Sequence, residues 1–352
     1  MQANFQDRLI SARKMAGFSL EDLSEKMKAV AGEKAVSRQA IHQFEQGKSK
    51  PEADTMLALA KTLGVDLNYF FRESVISLGK IEYRKKTKLT KTEDVAVQEK
   101  AKDVLERYFE LEELMNVSLI FKNPLEASQC HITHKNDIEI VAEALREKWD
   151  LGTRPIQNVL ELLENEGIKV VEISTSDGFQ GFYADANNHT VVVLNQNDDN
   201  VRKRFTALHE LGHTILTFED GFDVEKGCHS FAGAMLLPKK QVIQAFSEKR
   251  KKISLAELIQ LKINYGISIQ AILARLKNLE IINDSIFKGF IIWMTKVGYR
   301  KNEPGEYTGI EKALRFNQLL FRAAAEEIIS LSKAASLGNM SLTTFRNTLI
   351  GK

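Results

Sequence analysis

The most informative segment of the chain is RFTALHELGHTILTFEDGFDVEKGCHSFAGAMLLP, residues 204–238. It contains the H-E-x-x-H motif formed by His209, Glu210 and His213. Positions i and i+4 of a helix lie on one face about one turn apart, so both imidazoles can point at one metal ion. Glu210, the next residue along, can act as a general base on the attacking water. Two imidazoles, a carboxylate and an open fourth position are typical of a catalytic zinc rather than a structural one.

The residues around the motif favour a metal-binding helix over a surface helix that carries the motif by chance. Gly212 costs the helix roughly 1 kcal/mol relative to alanine, and we expect a glycine there because another element packs closely against the backbone. The apolar positions share one face of the helix, and they are Phe205, Leu208, Leu211, Ile215 and Leu216. The stretch is therefore predicted to be an amphipathic helix.

A third ligand is expected in the segment that follows the motif. The candidates with suitable donor atoms are Glu219, Asp220, Asp223, Glu225 and His229. The first two lie in a turn, where acids are ordinarily solvated, and the third is placed to cap the next helix. Glu225 and His229 share one face of that helix, which would present Glu225 to the metal if it ran antiparallel to the first. We predict Glu225 as the ligand and His229 as the alternative ligand. A preferred role for His229 is to donate a hydrogen bond to a metal ligand or to act as a catalytic group near the oxygen of the reacting carbonyl.

Length and composition limit the class of protein. The 352 residues suit two or three domains. A hydrophobic content of 43% and a charged content of 27% are typical of a globular protein. The chain has neither an apolar run of about 18 residues nor a signal-peptide core, so we expect a cytoplasmic protein that does not enter a membrane. Two cysteines agree with a reducing compartment and are too few for a thiolate zinc site. With a net charge of +2, any nucleic-acid binding must depend on local patches.

Residues 1–72 are predicted to form five short helices. Ser19 is expected to cap the second helix with Asp22 as its box partner, and Ser37 is expected to cap the third. Two short helices joined by a turn, the second polar on its outer face, predict a helix-turn-helix DNA-binding domain. The fifth helix, DLNYFFRE, is expected to pack its apolar side chains Leu67, Phe70 and Phe71.

Residues 73–136 are predicted to be a basic linker followed by a long connecting helix over 93–121. The basic residues of the linker are Arg84, Lys85, Lys86, Lys88 and Lys91. Such a run is either a solvated segment or, beside a DNA-binding domain, a segment that follows the phosphate backbone. Both interpretations are open at this point.

Residues 137–250 are predicted to form the core around the metal, and residues 251–352 a helical C-terminal region. Helices come first, then strands over 168–173, 179–184 and 189–195, and then the motif helix. The fold class is therefore mainly α with a small antiparallel sheet. A sheet edge beside the metal helix can hold a peptide as an added strand. Tyr183 is a weaker candidate for stabilising the oxyanion, since a half-buried strand residue is its more ordinary role.

Two resemblances extend these predictions. The pattern SLEDLSEKM…VSRQAIHQFEQGKSKPEADTMLALAKTLGV, residues 19–65, closely resembles the XRE family of phage-repressor-like DNA-binding domains. By that resemblance residues 37–48 are the recognition helix, where Arg and Gln side chains can pair with guanine or adenine edges. The residues implied to face DNA are Ser37, Arg38, Gln39, His42, Gln43 and Lys48.

The pair RFTALHELGH and EKGCHSFAGAMLLP resembles the ImmA/IrrE family of zinc metallopeptidases, which are often paired with or fused to an XRE domain. The resemblance implies a zincin-like fold and places the family's glutamate ligand at Glu225. Many members have asparagine where this chain has His229, so the resemblance assigns no role to that residue.

Together these patterns predict a DNA-binding transcriptional regulator that carries a zinc-dependent endopeptidase. The resemblance implies that it cleaves a repressor-type protein, or itself, after a stress, phage or mobile-element signal. The expected partners are a double-stranded DNA operator, the protein substrate and a second copy in a homodimer. Manganese is an alternative to zinc, because the ligands alone do not select between them. Two other functions fit the sequence: a non-catalytic or antitoxin-like regulator whose peptidase-like domain senses a ligand, and a toxin-type peptidase.

Overall fold

The structure is a computed structural model that describes residues 5–32, 35–72, 89–176 and 178–351, together with the backbone of residues 78–83. The chain forms two compact units. The first contains residues 1–79, 88–118 and 314–352, and the second contains residues 80–87 and 119–313. No helix in the described part of the chain is long and apolar enough to cross a membrane.

Four α-helices and a 3₁₀ turn form the N-terminal part of the first unit. They are α1 Phe5–Met15, α2 Leu20–Ala31, α3 Arg38–Glu45, α4 Ala53–Leu63 and the turn Leu67–Phe71. The capping box predicted for α2 is confirmed: Ser19 accepts the Asp22 amide at 3.1 Å, and Asp22 accepts the Ser19 amide at 2.8 Å. Buried apolar side chains from all five elements form one core, among them Leu9, Leu23, Ile41, Leu59 and Phe70.

The fifth predicted helix is shorter and tighter than expected. It is a 3₁₀ turn of five residues, a geometry that rarely continues far because its hydrogen bonds are poorer. Phe70 is buried as predicted, but Phe71 is 58% exposed, and Tyr69 is buried instead. The prediction that Phe71 packs into the core is therefore wrong.

Helix α5, Lys91–Leu114, is the long helix of the first unit. Thr90 and Glu93 form a capping box at its start, and Asn116 with a positive φ of 49° follows its end. Of the predicted basic linker, Lys91 lies in α5, and the backbone of residues 78–83 forms a strand, β1 Leu78–Tyr83, that was not predicted. Arg84, Lys85, Lys86 and Lys88 lie outside the described residues.

The three C-terminal helices pack on α5. They are α14 Arg315–Ala325, α15 Leu331–Leu337 and α16 Leu342–Leu349. Tyr108 and Leu111 of α5 share a buried cluster with Leu320 and Phe345. The Arg107 guanidinium donates to the carbonyl of Leu337 at 2.8 Å. The last helices of the chain therefore belong to the same unit as the first ones.

The second unit contains the motif helix. Its strands are β2 His131–Ile132, β3 Lys169–Ile173, β4 Gly181–Ala186, β5 His189–Asn195 and β6 Thr217–Phe218. Its helices are α6 Lys135–Lys148, α7 Val159–Asn165, α8 Asn200–Ile215, α9 Val224–Leu236, α10 Lys239–Phe246, α11 Leu255–Tyr265, α12 Ile269–Asn278 and α13 Asp284–Lys296. The predicted mainly α architecture with a small sheet is confirmed.

The larger sheet has the order β1-β4-β5-β3 and mixed strand directions. Strands β4 and β5 form the expected antiparallel hairpin, with Asn187 and Asn188 both at positive φ in its turn. Strand β3, however, pairs with β5 in parallel, so the sheet is not wholly antiparallel as predicted. After β3 the chain crosses to the far side of β5 before entering β4, which leaves β3 and β5 running the same way. Strands β2 and β6 form a separate parallel pair.

Candidate functional site

Helix α8 carries both histidines of the motif. Asp199 begins the helix by accepting the amide of Arg202 at 2.9 Å. One helical turn separates His209 from His213, and their Nε2 atoms lie 3.1 Å apart. The His209 side chain is fully buried, whereas that of His213 is 11% exposed. The motif therefore faces the interior at its first histidine and approaches solvent at its second.

Helix α9 packs against α8 in the antiparallel direction. His213 lies beside Glu225 and His209 beside His229, so the two helices run opposite ways. The expectation that another element packs against Gly212 is confirmed: a Cβ there would lie 3.2 Å from Cys228 Cβ. A side chain at this position would push the two helices apart, and with them the groups that they carry.

Glu225 meets both histidines. Its carboxylate oxygens lie 3.6 Å from His209 Nε2 and 3.4 Å from His213 Nε2. Within the described residues, these three form the one group of His, Cys, Asp or Glu side chains arranged to hold a metal, with all donor atoms within 4.8 Å of one another. His229 and the acids of the turn after α8 are not part of that group.

The size of this triangle fits a metal ion. Zinc bonds to nitrogen and oxygen at roughly 2.1 Å, so two ligands in a tetrahedron lie about 3.3 Å apart. The observed separations of 3.1, 3.4 and 3.6 Å match one face of such a tetrahedron. Each of the two imidazole nitrogens, when it carries no proton, can donate a lone pair to a cation between them.

Glu210 lies on the same helix and is also buried, with 1% of its surface exposed. The sequence-predicted base is thus carried by the helix that supplies two of the three donor side chains.

His229 occupies the turn of α9 that follows Glu225. Its Nδ1 donates to the Glu225 carbonyl at 2.5 Å, which orients the ring along the helix. The ring centroid lies 4.5 Å from that of His209 and 5.9 Å from that of Phe205. His229 therefore borders the donor triangle on the His209 side without joining it.

Tyr183 of β4 covers the other histidine. Its ring is stacked on the His213 imidazole, with 5.6 Å between centroids and an interplanar angle of 13°. The sequence patterns predicted Tyr183 as a weaker candidate for stabilising the oxyanion or, more ordinarily, as a half-buried strand residue. The structure shows that its aromatic face holds a ring of the donor triangle in place.

The predicted recognition helix presents the expected residues to solvent. Ser37 caps α3 by accepting the Ala40 amide at 3.2 Å. Ile41 and Phe44 point into the core, which leaves the opposite face outward. All six of the residues expected to face DNA are exposed: Ser37, Arg38, Gln39, His42, Gln43 and Lys48.

Comparison with family models finds the two domains separately. Residues 163–277 match the model of the IrrE N-terminal-like peptidase domain, and residues 9–70 match a helix-turn-helix model. The chain joins these two domains. No curated protein and no solved structure is significantly similar to it.

The second unit, which contains residues 163–277 and is named the IrrE-like unit, holds a buried ion pair that was not predicted from the sequence. The guanidinium of Arg204 on α8 donates to Glu311 at 2.9 Å, and neither side chain is exposed. The Glu311 carboxylate also accepts the amide of Val159 at 2.8 Å, where α7 begins. Burial raises the pKa of the Glu311 carboxyl to about 7, against the opposing charge of Arg204.

One feature of the sequence does point to this pair. Arg204 precedes Leu208, Leu211 and Ile215 by 4, 7 and 11 residues, so it occupies the apolar face of α8. A charged residue on such a face requires a buried partner. Nothing local identifies that partner, because Glu311 lies 107 residues further along the chain.

Proposed function

We propose that the chain is a DNA-binding transcriptional regulator whose IrrE-like domain is a zinc-dependent endopeptidase acting on a repressor-type protein or on the chain itself. The observation that carries this proposal is the donor triangle of His209, His213 and Glu225, whose separations of 3.1–3.6 Å suit one zinc ion. Manganese is the alternative that the same donors accept.

A metal held by these three side chains would polarise a peptide carbonyl and acidify a water molecule. Glu210 then takes the proton from the attacking water and passes it to the leaving amine. The ring of His229, held by the Glu225 carbonyl, borders the site where the oxygen of the reacting carbonyl would gain charge. Tyr183 holds the His213 ring in its orientation by stacking on it.

The helix-turn-helix domain supplies the operator contact. Arg38, Gln39 and Gln43 are exposed on α3 and have the donor pattern that reads guanine and adenine edges. Lys48 follows the end of α3, where it can reach a phosphate. Binding as a homodimer would double this contact and compensate for a nearly neutral chain.

The chain's own linker is one of the two proposed substrates. Residues 80–83 belong to the IrrE-like unit, where β1 is the neighbour of β4, the strand that carries Tyr183. A segment that already pairs with this strand is close to the donor triangle without a separate binding step. This placement supports cleavage in cis as the alternative to cleavage of a partner.

The test compares wild type with Glu210→Gln, which removes the base and keeps the donor triangle. Metal is measured on both purified proteins, and new N-termini are then identified by mass spectrometry after incubation with zinc, alone and with cell extract. We expect about one metal ion per chain in both, and cleavage, in the linker or in a partner, only in wild type. Less than about half a metal ion per chain would favour the non-catalytic regulator. Equal cleavage by both proteins would exclude Glu210 as the base.

A further inference from the structure

A cavity of 340 Å³ lies in the IrrE-like unit beside His229. Its walls come from α8, α9 and α12, and its lining residues are Phe205, His229, Ser230, Gly233, Gln270, Ala271, Ala274, Arg275 and Asn278. Because the His229 ring lies 4.5 Å from that of the donor His209, the cavity begins one ring away from the donor triangle.

The exposed surface of the cavity is mostly apolar, and three small residues, Gly233, Ala271 and Ala274, leave room in it. Gly233 on α9 has no side chain, and the aliphatic part of Arg275 lies beneath it: a Cβ on Gly233 would be 3.4 Å from Arg275 Cδ. Ala271 and Ala274 line the cavity from α12, and Phe205 closes it from α8. The volume is at the lower end of the roughly 300–1,000 Å³ typical of ligand sites. It suits one large side chain.

The charges around the cavity select against an ionised occupant. None of the described residues that line it is acidic, so a lysine or arginine side chain would lose its hydration without a counter-ion. The one permanent cation, Arg275, is already engaged by Glu139 at 2.6 and 2.8 Å and by the Leu237 carbonyl at 2.6 Å. It therefore has little to offer a carboxylate.

We propose that this cavity is the specificity pocket of the peptidase and takes a large apolar side chain, aliphatic or aromatic, from the substrate residue next to the scissile bond. The inference rests on the proposed function and deepens it. A peptide whose carbonyl lies over the donor triangle would pass His229, and its neighbouring side chain would enter between Phe205 and Ala274. Filling the cavity should therefore change which residue is accepted and leave the donor triangle unaltered.

The first test fills the cavity with Ala274→Leu. The matched control is Ala256→Leu, the same change at an exposed position of α11. Metal content and thermal unfolding are measured first and should match wild type in both variants. The three proteins then cleave a random peptide library, and the residues flanking each cut are counted. We expect wild type and Ala256→Leu to prefer Leu, Met or Phe at one flanking position, and Ala274→Leu to prefer Gly, Ala or Ser there. An unchanged preference in Ala274→Leu overturns the proposal.

The second test does not depend on turnover. Binding of leucine hydroxamate and of glycine hydroxamate, whose chelating groups are identical, is measured on the zinc-loaded proteins. We expect wild type to bind the leucine compound tighter by roughly tenfold or more, since only its side chain fills the pocket. The ratio should fall towards one in Ala274→Leu and persist in Ala256→Leu. If the ratio of the two hydroxamate affinities is the same in wild type and Ala274→Leu, the cavity is not the specificity pocket. If wild type prefers the leucine compound but no peptide is cleaved, the proposed peptidase activity is wrong and the binding pocket stands.

Discussion

The ring of Tyr183 lies nearly parallel to that of His213, at 13° and 5.6 Å between centroids. This contact joins strand β4 to the donor triangle. Removing a group that orients a metal-ligating ring commonly weakens metal affinity by about 10- to 100-fold. We expect Tyr183→Ala to weaken zinc binding by about tenfold and Tyr183→Phe to leave it unchanged. Competition with a fluorescent chelator measures both. Weaker zinc binding in Tyr183→Phe would show that the hydroxyl, rather than the stacked ring face, supports the metal site.

The third donor can be tested against a neighbouring acid. Glu225→Ala removes one corner of the donor triangle, and we expect zinc content to fall from about one ion per chain to below about half. Glu219→Ala is the control, because that acid lies outside the group of donors. Zinc is measured by elemental analysis after dialysis. A full zinc complement in Glu225→Ala, or its loss in Glu219→Ala, would contradict the assignment.

Breaking the buried Arg204–Glu311 pair from one side should strongly destabilise the IrrE-like unit. Glu311→Leu leaves the buried Arg204 guanidinium without its counter-ion and the Val159 amide without its acceptor, and we expect a loss of about 3–5 kcal/mol in the free energy of unfolding. Adding Arg204→Met should recover much of that loss, because an apolar pair replaces the unpaired charge. Urea unfolding measures all three proteins. Arg202→Met, at a half-exposed pair with Asp198, is the control and should cost under about 1 kcal/mol.

The Glu311 carboxyl should also give stability a pH dependence. Burial raises its pKa from 4.5 to about 7 in the folded chain. The folded chain therefore keeps a proton that the unfolded chain releases above pH 4.5, and this group lowers stability as the pH rises to about 7. Above that pH both states are ionised and the effect is constant. In Glu311→Gln the dependence is absent. Urea unfolding from about pH 5 to about pH 8 should show wild type losing stability relative to the variant. A relative gain would contradict the raised pKa.

Two residues near α3 should affect DNA binding in different ways. Gln39→Ala removes a side chain that we propose contacts a base, and we expect a loss of about 1–3 kcal/mol on the preferred operator with little change on unrelated DNA. Lys48→Ala removes the proposed phosphate contact, so it should weaken binding to all sequences and reduce the salt slope by about one. Fluorescence anisotropy at several salt concentrations separates the two. Lys61→Ala, at the end of α4, is the control. Uniform weakening by Gln39→Ala would argue against base contact.

Local features of the fold were accessible from the sequence. The spacing of His209 and His213 and the cap at Ser19 each depend on residues within about one helical turn. Glu225 could be predicted as the third donor because it lies on α9, the next helix after α8. The parallel pairing of β3 with β5 could not be predicted, since it depends on where a crossover places the next strand. The partner of Arg204 and the packing of the last three helices on α5 also depend on contacts far apart in the chain.

The discontinuous first unit has a consequence for detecting cleavage in cis. Helix α1 packs against α5, and the Arg8 guanidinium bonds both to the Arg72 carbonyl at 2.9 Å and to Glu106 at 2.6 Å. A cut between residues 73 and 90 would therefore produce a nicked protein whose two fragments stay associated. Native chromatography would show a single unchanged peak, whereas a denaturing gel would show two bands. Release of the DNA-binding head would then require a second event that separates α1 from α5, so the nick and the loss of repression can occur at different times.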